Sequence, residues 1–131
     1  MDQKIVDFLN SERVAVLATM LADGTPYTSA MHFIYHDGAL YFSTQPTSRK
    51  VKDLNGITKA SVTAGFSEKD WVTVQLDGTL EKSELATELH LAKYPEDAKH
   101  IGGEAVVFKF TPTWWRYSDF KTKPATFIEN K

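Results

Sequence analysis

Leu40-Tyr41-Phe42-Ser43-Thr44, followed after Gln45-Pro46-Thr47 by Ser48-Arg49-Lys50 and then by Leu54, is the stretch on which the reading of this chain turns. Just upstream, Tyr27 to Tyr35 has strand character, and His36-Asp37-Gly38 supplies the Asp-Gly pair that suits a type I′ turn, whose twist matches that of paired strands. The segment therefore reads as strand, tight turn, strand, and a helix opening on Thr47-Ser48-Arg49-Lys50. Peptide dipoles leave about half a positive charge at a helix N-terminus, so a cation in the first turn costs roughly 0.3 to 1 kcal/mol. Two cations, Arg49 and Lys50, stand there. Free N–H groups, neighbouring hydroxyls and two cations at one point are what a phosphate dianion requires, and its charge reverses the sign of that penalty. The alternative is a solvated helix start with its basic residues facing outward, and local sequence does not choose between the two.

Working outward, Val14 to Met20 is rich in Val, Ala, Leu and Thr and stops at Asp23-Gly24-Thr25-Pro26, a turn signal. With the next two strands it forms an antiparallel meander. Ile5, Phe8 and Leu9 recur at helical spacing, which predicts a short helix over Asp2 to Asn10 lying against a sheet. Downstream of a helix from about Ser48 to Leu54, two β-rich runs are expected, Ser61 to Phe66 and Trp71 to Glu81. In the second, Val72, Val74, Leu76 and Leu80 alternate with Thr73, Gln75 and Thr79. Ser83 can cap a helix ending near Lys93, because Pro95 disfavours the α conformation at Tyr94. After a link from Glu96 to Glu104, strands are expected over Ala105 to Phe110 and Trp114 to Asp119, with a short tail strand near Phe127. Many short strands with three peripheral helices describe a mainly β chain closed into a small barrel, which removes open sheet edges. No repeat or linker divides residues 1–131, so one domain is expected.

Composition narrows the function. The chain has 131 residues, 42% of them hydrophobic, and a net charge of -2, which gives no long-range attraction for nucleic acid or an acidic membrane. A small barrel binding single-stranded nucleic acid through Tyr27, Tyr35 and Tyr41 would need a basic groove, and the balanced charge opposes it. There are no cysteines, so disulfides, thiolate nucleophiles and cysteine metal sites are excluded together. The charged N-terminus and the lack of a long apolar window predict neither signal peptide nor membrane span, compatible with a cytoplasmic protein. Of the four histidines, His36 belongs to a turn and His90 and His100 are isolated from one another, so no metal site is expected. Glu81, Glu84 and Glu88 read as a solvated face. No Gly-x-Gly-x-x-Gly or Walker sequence is present.

The run from Leu40 through Thr44, Ser48-Arg49-Lys50 and Leu54 resembles the flavin-binding segment of the pyridoxamine 5′-phosphate oxidase-like split barrels. The likeness extends over most of the chain: Val14 to Phe33 looks like that family's first hairpin, Trp71 to Ser83 like its long strand broken at Gly78, and Val106 to Arg116 like its closing strand. The resemblance implies a six- to seven-stranded antiparallel split barrel that forms a homodimer with FMN at the interface. Ser43, Thr44, Ser48, Arg49 and Lys50 would then hold the phosphate, and His32 and Phe33 would lie beside the isoalloxazine and offer it backbone groups. Thr73, Gln75 and Trp115 of the second protomer would cover the ring, although tryptophans in a small barrel more often pack in the core. His32 is the titratable group placed near the ring, with a plain hydrogen-bonded strand histidine as the alternative. The namesake enzymes carry an Arg-x-His element near the C-terminus; here the last histidine is His100, and no Arg or His follows Arg116. The expectation is therefore a flavoprotein acting on another small redox substrate, with NAD(P)H a candidate donor. A non-catalytic carrier or sensor of flavin, deazaflavin or haem is the alternative.

Overall fold

Alternating apolar residues with turn signals at short intervals build a sheet that curls until its first and last long strands meet. The computed structural model describes residues 1–44, Arg49, Leu54, 56–84, 87–99 and 106–130. Its elements are α1 (Gln3–Ser11), β1 (Val14–Met20), β2 (Pro26–His36), β3 (Ala39–Thr44), β4 (Thr58–Ala64), β5 (Val72–Ser83), α2 (Thr87–Lys93), a 3-10 turn (Pro95–Lys99), β6 (Val106–Asp119) and β7 (Thr126–Glu129). The strand order is β3-β2-β1-β4-β5-β6-β7, and a further β3–β6 pairing closes the first six into an antiparallel barrel with β7 outside it. The mainly β split barrel expected from the sequence is the fold observed. The helix expected between about Ser48 and Leu54 lies outside the described residues except for helical Arg49 and buried Leu54.

Alternation assigns the two faces of each strand. Ala15 and Leu17, Phe33, Leu40 and Phe42, Val62 and Ala64, Val74 and Leu76, and Phe108 and Phe110 fill the barrel. The Asp2 carboxylate caps α1 by accepting from the Lys4 N–H at 2.8 Å, and Ile5 and Leu9 bury completely in this core. A second, smaller apolar cluster lies outside the barrel wall, where Ile34, Ala39, Tyr41 and Val107 pack with Tyr94 at the end of α2.

Three boundaries differ from the sequence reading. The segments Ala105 to Phe110 and Trp114 to Asp119 form one continuous strand, β6. Pro112 interrupts the pattern because it has no N–H to donate, but it stands opposite Gly78, where the β5–β6 register shifts. A Cβ on Gly78 would lie 2.1 Å from the Thr111 carbonyl oxygen and 2.9 Å from Pro112 Cα, so the close approach exists because the residue is glycine. β5 runs past the expected Glu81 to Ser83, which pairs with Val107, and the described part of α2 is Thr87–Lys93. The strand expected over Ser61 to Phe66 starts earlier, at Thr58, and ends before Gly65, whose φ is +93°.

Tyr94 explains how β1 and β2 part. Their ladder ends at the Val14–His32 pair. At the next position the buried Tyr94 hydroxyl takes the place of the missing strand partner. Its proton lies between the carbonyls of Arg13, at 2.8 Å, and Phe33, and its oxygen accepts the Phe33 N–H at 3.3 Å. Lys93 Nζ adds a bond to the Glu12 carbonyl at 2.6 Å. Tyr94→Phe leaves these backbone groups short of a partner, and a loss of about 2 kcal/mol in unfolding free energy is expected by denaturant titration. Burial, against the opposing effect of the bond to Phe33, pushes the Tyr94 hydroxyl from 10.0 up to about 12. The folded chain therefore holds this proton more tightly than the unfolded one. Stability from this group is complete below pH 10.0 and falls as pH rises toward about 12. Tyr94→Phe should make that alkaline decline shallower; an unchanged slope contradicts the assignment.

Candidate functional site

The end of β3 carries the hydroxyls and the basic segment. Leu40 and Phe42 point into the barrel, so Thr44 follows them inward and Ser43 faces out, both half-buried. Arg49 is exposed, and its guanidinium stands 5.2 Å from the centre of the Tyr27 ring, at the start of β2. Among the described residues no carboxylate oxygen forms an ion pair with it. Asp23 feels Arg49 only as a minor effect: its carboxyl is held below the usual range first by its hydrogen bonds from Thr25. Ser48 and Lys50 lie outside the described residues. Ser43, Thr44 and Arg49 are thus the described residues of the expected phosphate site: the two hydroxyl residues end β3, and Arg49 meets Tyr27.

The residues expected at the ring divide differently. Gln75 and Thr73 stand on the outward face of β5, Gln75 exposed and Thr73 half-buried. Gln75 belongs to an outward row that crosses the sheet through Ala30, Val16, Thr63 and Arg116. Within one chain β5 itself does not pair with β3. Trp115 pairs with Leu76 and packs against the main core, with its N–H bonded to Asn130 at 3.0 Å. The Phe33 side chain is wholly buried in the barrel. Its N–H and carbonyl, expected to be available to a ring, are both engaged by Tyr94.

His32 faces outward and is already partnered. Its ring lies flat on Tyr94, centroids 4.1 Å apart and planes 6° from parallel, and its Nδ1 is 2.7 Å from Asp97 Oδ2. The same oxygen is 2.8 Å from Nε2 of His90, which is buried. The two imidazoles, His32 first and then His90, hold the Asp97 carboxyl below its ordinary value. The sequence reading set His90 apart only from His100, which lies outside the described residues; within them His90 is joined to His32 through Asp97. Sequence missed this because His32 and Asp97 are 65 positions apart. The signal that was present is His90 and Asp97 flanking the buried Tyr94, seven positions apart. Glu84 and Glu88 are exposed and Glu81 half-buried. Among the described residues no helix is long and apolar enough to cross a membrane.

Comparison with known proteins agrees with this architecture. A structure of a conserved hypothetical protein from Mycobacterium tuberculosis superposes with a TM-score of 0.75 at 21% identity, covering 100% of this chain and 92% of that one. General stress protein 26 from Bacillus anthracis gives 0.72 at 21% identity, covering 98% and 97%. A heme binding protein from Mycobacterium smegmatis gives 0.69 at 19% identity, covering 92% of this chain and 53% of that one. At these identities the likeness shows the fold. No curated protein matches the sequence at a significant level. The sequence pattern of the pyridoxamine 5′-phosphate oxidase family matches residues 1–119, and the chain belongs to that family.

Proposed function

We propose that the protein binds FMN and works as a flavin-dependent oxidoreductase on a small molecule other than pyridoxamine phosphate. The observation that carries this reading is the exposed Arg49 cation, five positions past the half-buried Thr44 that ends β3 and without a carboxylate partner among the described residues. These groups fit a phosphate monoester; Ser48 and Lys50 would complete the set. When bound, the flavin supplies hydride or electron transfer, and the protein supplies position, electrostatics and exclusion of water. Arg49 and Lys50 neutralise the phosphate charge, and the Ser43, Thr44 and Ser48 hydroxyls donate to its oxygens.

The reading includes a homodimer. β1 is an interior strand, yet its outward face presents Val14, Val16, Ala18 and Met20, with Val14 and Met20 exposed. An apolar stripe on the wall of a barrel calls for a cover, and a second copy brings its own stripe and its own Gln75 row. Thr73 and Gln75 of one protomer would then reach the flavin held at Arg49 of the other. Trp115 and Phe33 support the site from within, because both side chains pack against the core.

Anaerobic mixing of the FMN-loaded protein with NADPH or NADH tests the redox part. Loss of the oxidised-flavin absorbance on a timescale of seconds is expected. Flavin that stays oxidised with these and with chemical hydride donors would favour the carrier or sensor reading.

A further inference from the structure

His32 on β2, His90 on α2 and Asp97 on the 3-10 turn meet outside the barrel wall. One ligand atom from each, with both imidazole nitrogens directed at Asp97 Oδ2, lies within 4.8 Å of the others. A lone carboxylate oxygen receiving two imidazoles is also the bland way to pin a turn to a strand. Three features go further. Two imidazoles and one carboxylate with an open direction are the donor set of three-ligand zinc centres. The side chain of His90 is only 4% exposed, whereas His32 and Asp97 are 30% and 19% exposed, so the group is anchored from within and open on one side. The plane of the His32 ring is also fixed in advance, by its stack on Tyr94.

We propose that His32, His90 and Asp97 form a binding site for a divalent transition-metal ion of the zinc type. Ligand atoms around a zinc at 2.0 to 2.1 Å stand about 3.3 Å from one another, so the two imidazole–carboxylate gaps open by roughly half an ångström when the ion enters. In the metal-free molecule each ring presents an N–H to the carboxylate. The ion replaces those two protons, and each ring then carries its proton on the opposite nitrogen, Nε2 of His32 and Nδ1 of His90. Mg²⁺, which prefers an octahedron of oxygens, does not compete. The bound ion links strand, helix and turn, and its fourth position faces solvent.

Equilibrium dialysis of the tag-free full chain against Zn²⁺ near neutral pH, with excess Mg²⁺ present, should retain about one zinc per chain, the number a single three-ligand site takes. Asp97→Asn preserves a hydrogen-bonding side chain between the rings but removes the charged ligand, and should weaken zinc binding by about tenfold or more. His36→Ala, in the exposed β2–β3 turn, should leave it unchanged. Ring-nitrogen NMR on the unsubstituted protein provides an arm that needs no variant: zinc should shift His32 Nδ1 and His90 Nε2. Failure to retain zinc, an unaltered affinity in Asp97→Asn, or shifts confined to other histidines would each overturn the proposal and leave Asp97 as a purely structural clamp.

Discussion

Replacing Arg49 and Lys50 together by alanine should weaken FMN binding by about 3 kcal/mol or more, roughly a hundredfold or greater in Kd, because each charge-assisted phosphate contact contributes about 1.5 to 3 kcal/mol. The apoprotein should be as stable as the parent or slightly more so, since cations in a helix's first turn are unfavourable when nothing anionic faces them. The two halves of this expectation separate a cradle from a structural role. Arg49 is exposed and stacks over Tyr27, so its loss removes little packing. Fluorescence titration of FMN against both proteins, beside thermal melts without ligand, reads the two quantities. Unchanged affinity would mean that the phosphate binds elsewhere.

The second large effect is expected at Gly78. Gly78→Ala forces a methyl group onto the Thr111 carbonyl and Pro112, which are backbone atoms unable to rotate away. Either the β5–β6 ladder separates at the register shift or the bend in β6 straightens, and both disturb the strands that close the barrel. A loss of about 3 kcal/mol is expected, near 10 °C in melting temperature for a domain of this size. Gly38→Ala makes the contrast. Its φ is +85°, but a Cβ there meets nothing within 4 Å, so only local strain of about 1 kcal/mol is added. Comparable losses at the two positions would show that the close approach at Gly78 is not what constrains it.

Much of the barrel was legible because local signals agree with tertiary need. Asp37-Gly38 sets the β2–β3 turn, and Val72, Val74 and Leu76 alternate inward along β5. Where reading stopped, a long-range partner decided. Ala105 to Phe110 and Trp114 to Asp119 read as two strands until Gly78 is set against Pro112. Tyr94 was legible as the last residue before a proline, yet its main role is to fill the gap where β1 leaves β2, a gap that exists only in the folded sheet. The site divides in the same way. Ser43, Thr44 and Arg49 were found because they are close in sequence, in a run that follows one strand. Thr73 and Gln75 face outward as alternation requires, on β5, which does not pair with β3. The grouping of His32 with His90 and Asp97 depends on how α2 and the turn after it pack on β2, which periodicity does not encode.

The central claim is a flavin held at the end of β3 in a two-chain assembly. The most direct test is the absorption spectrum of the purified protein mixed with FMN and passed through a gel-filtration column to remove excess ligand. Two flavin bands co-eluting at the volume of a dimer are the predicted result. A protein that emerges without FMN, or that carries a single intense Soret band in its place, would contradict it.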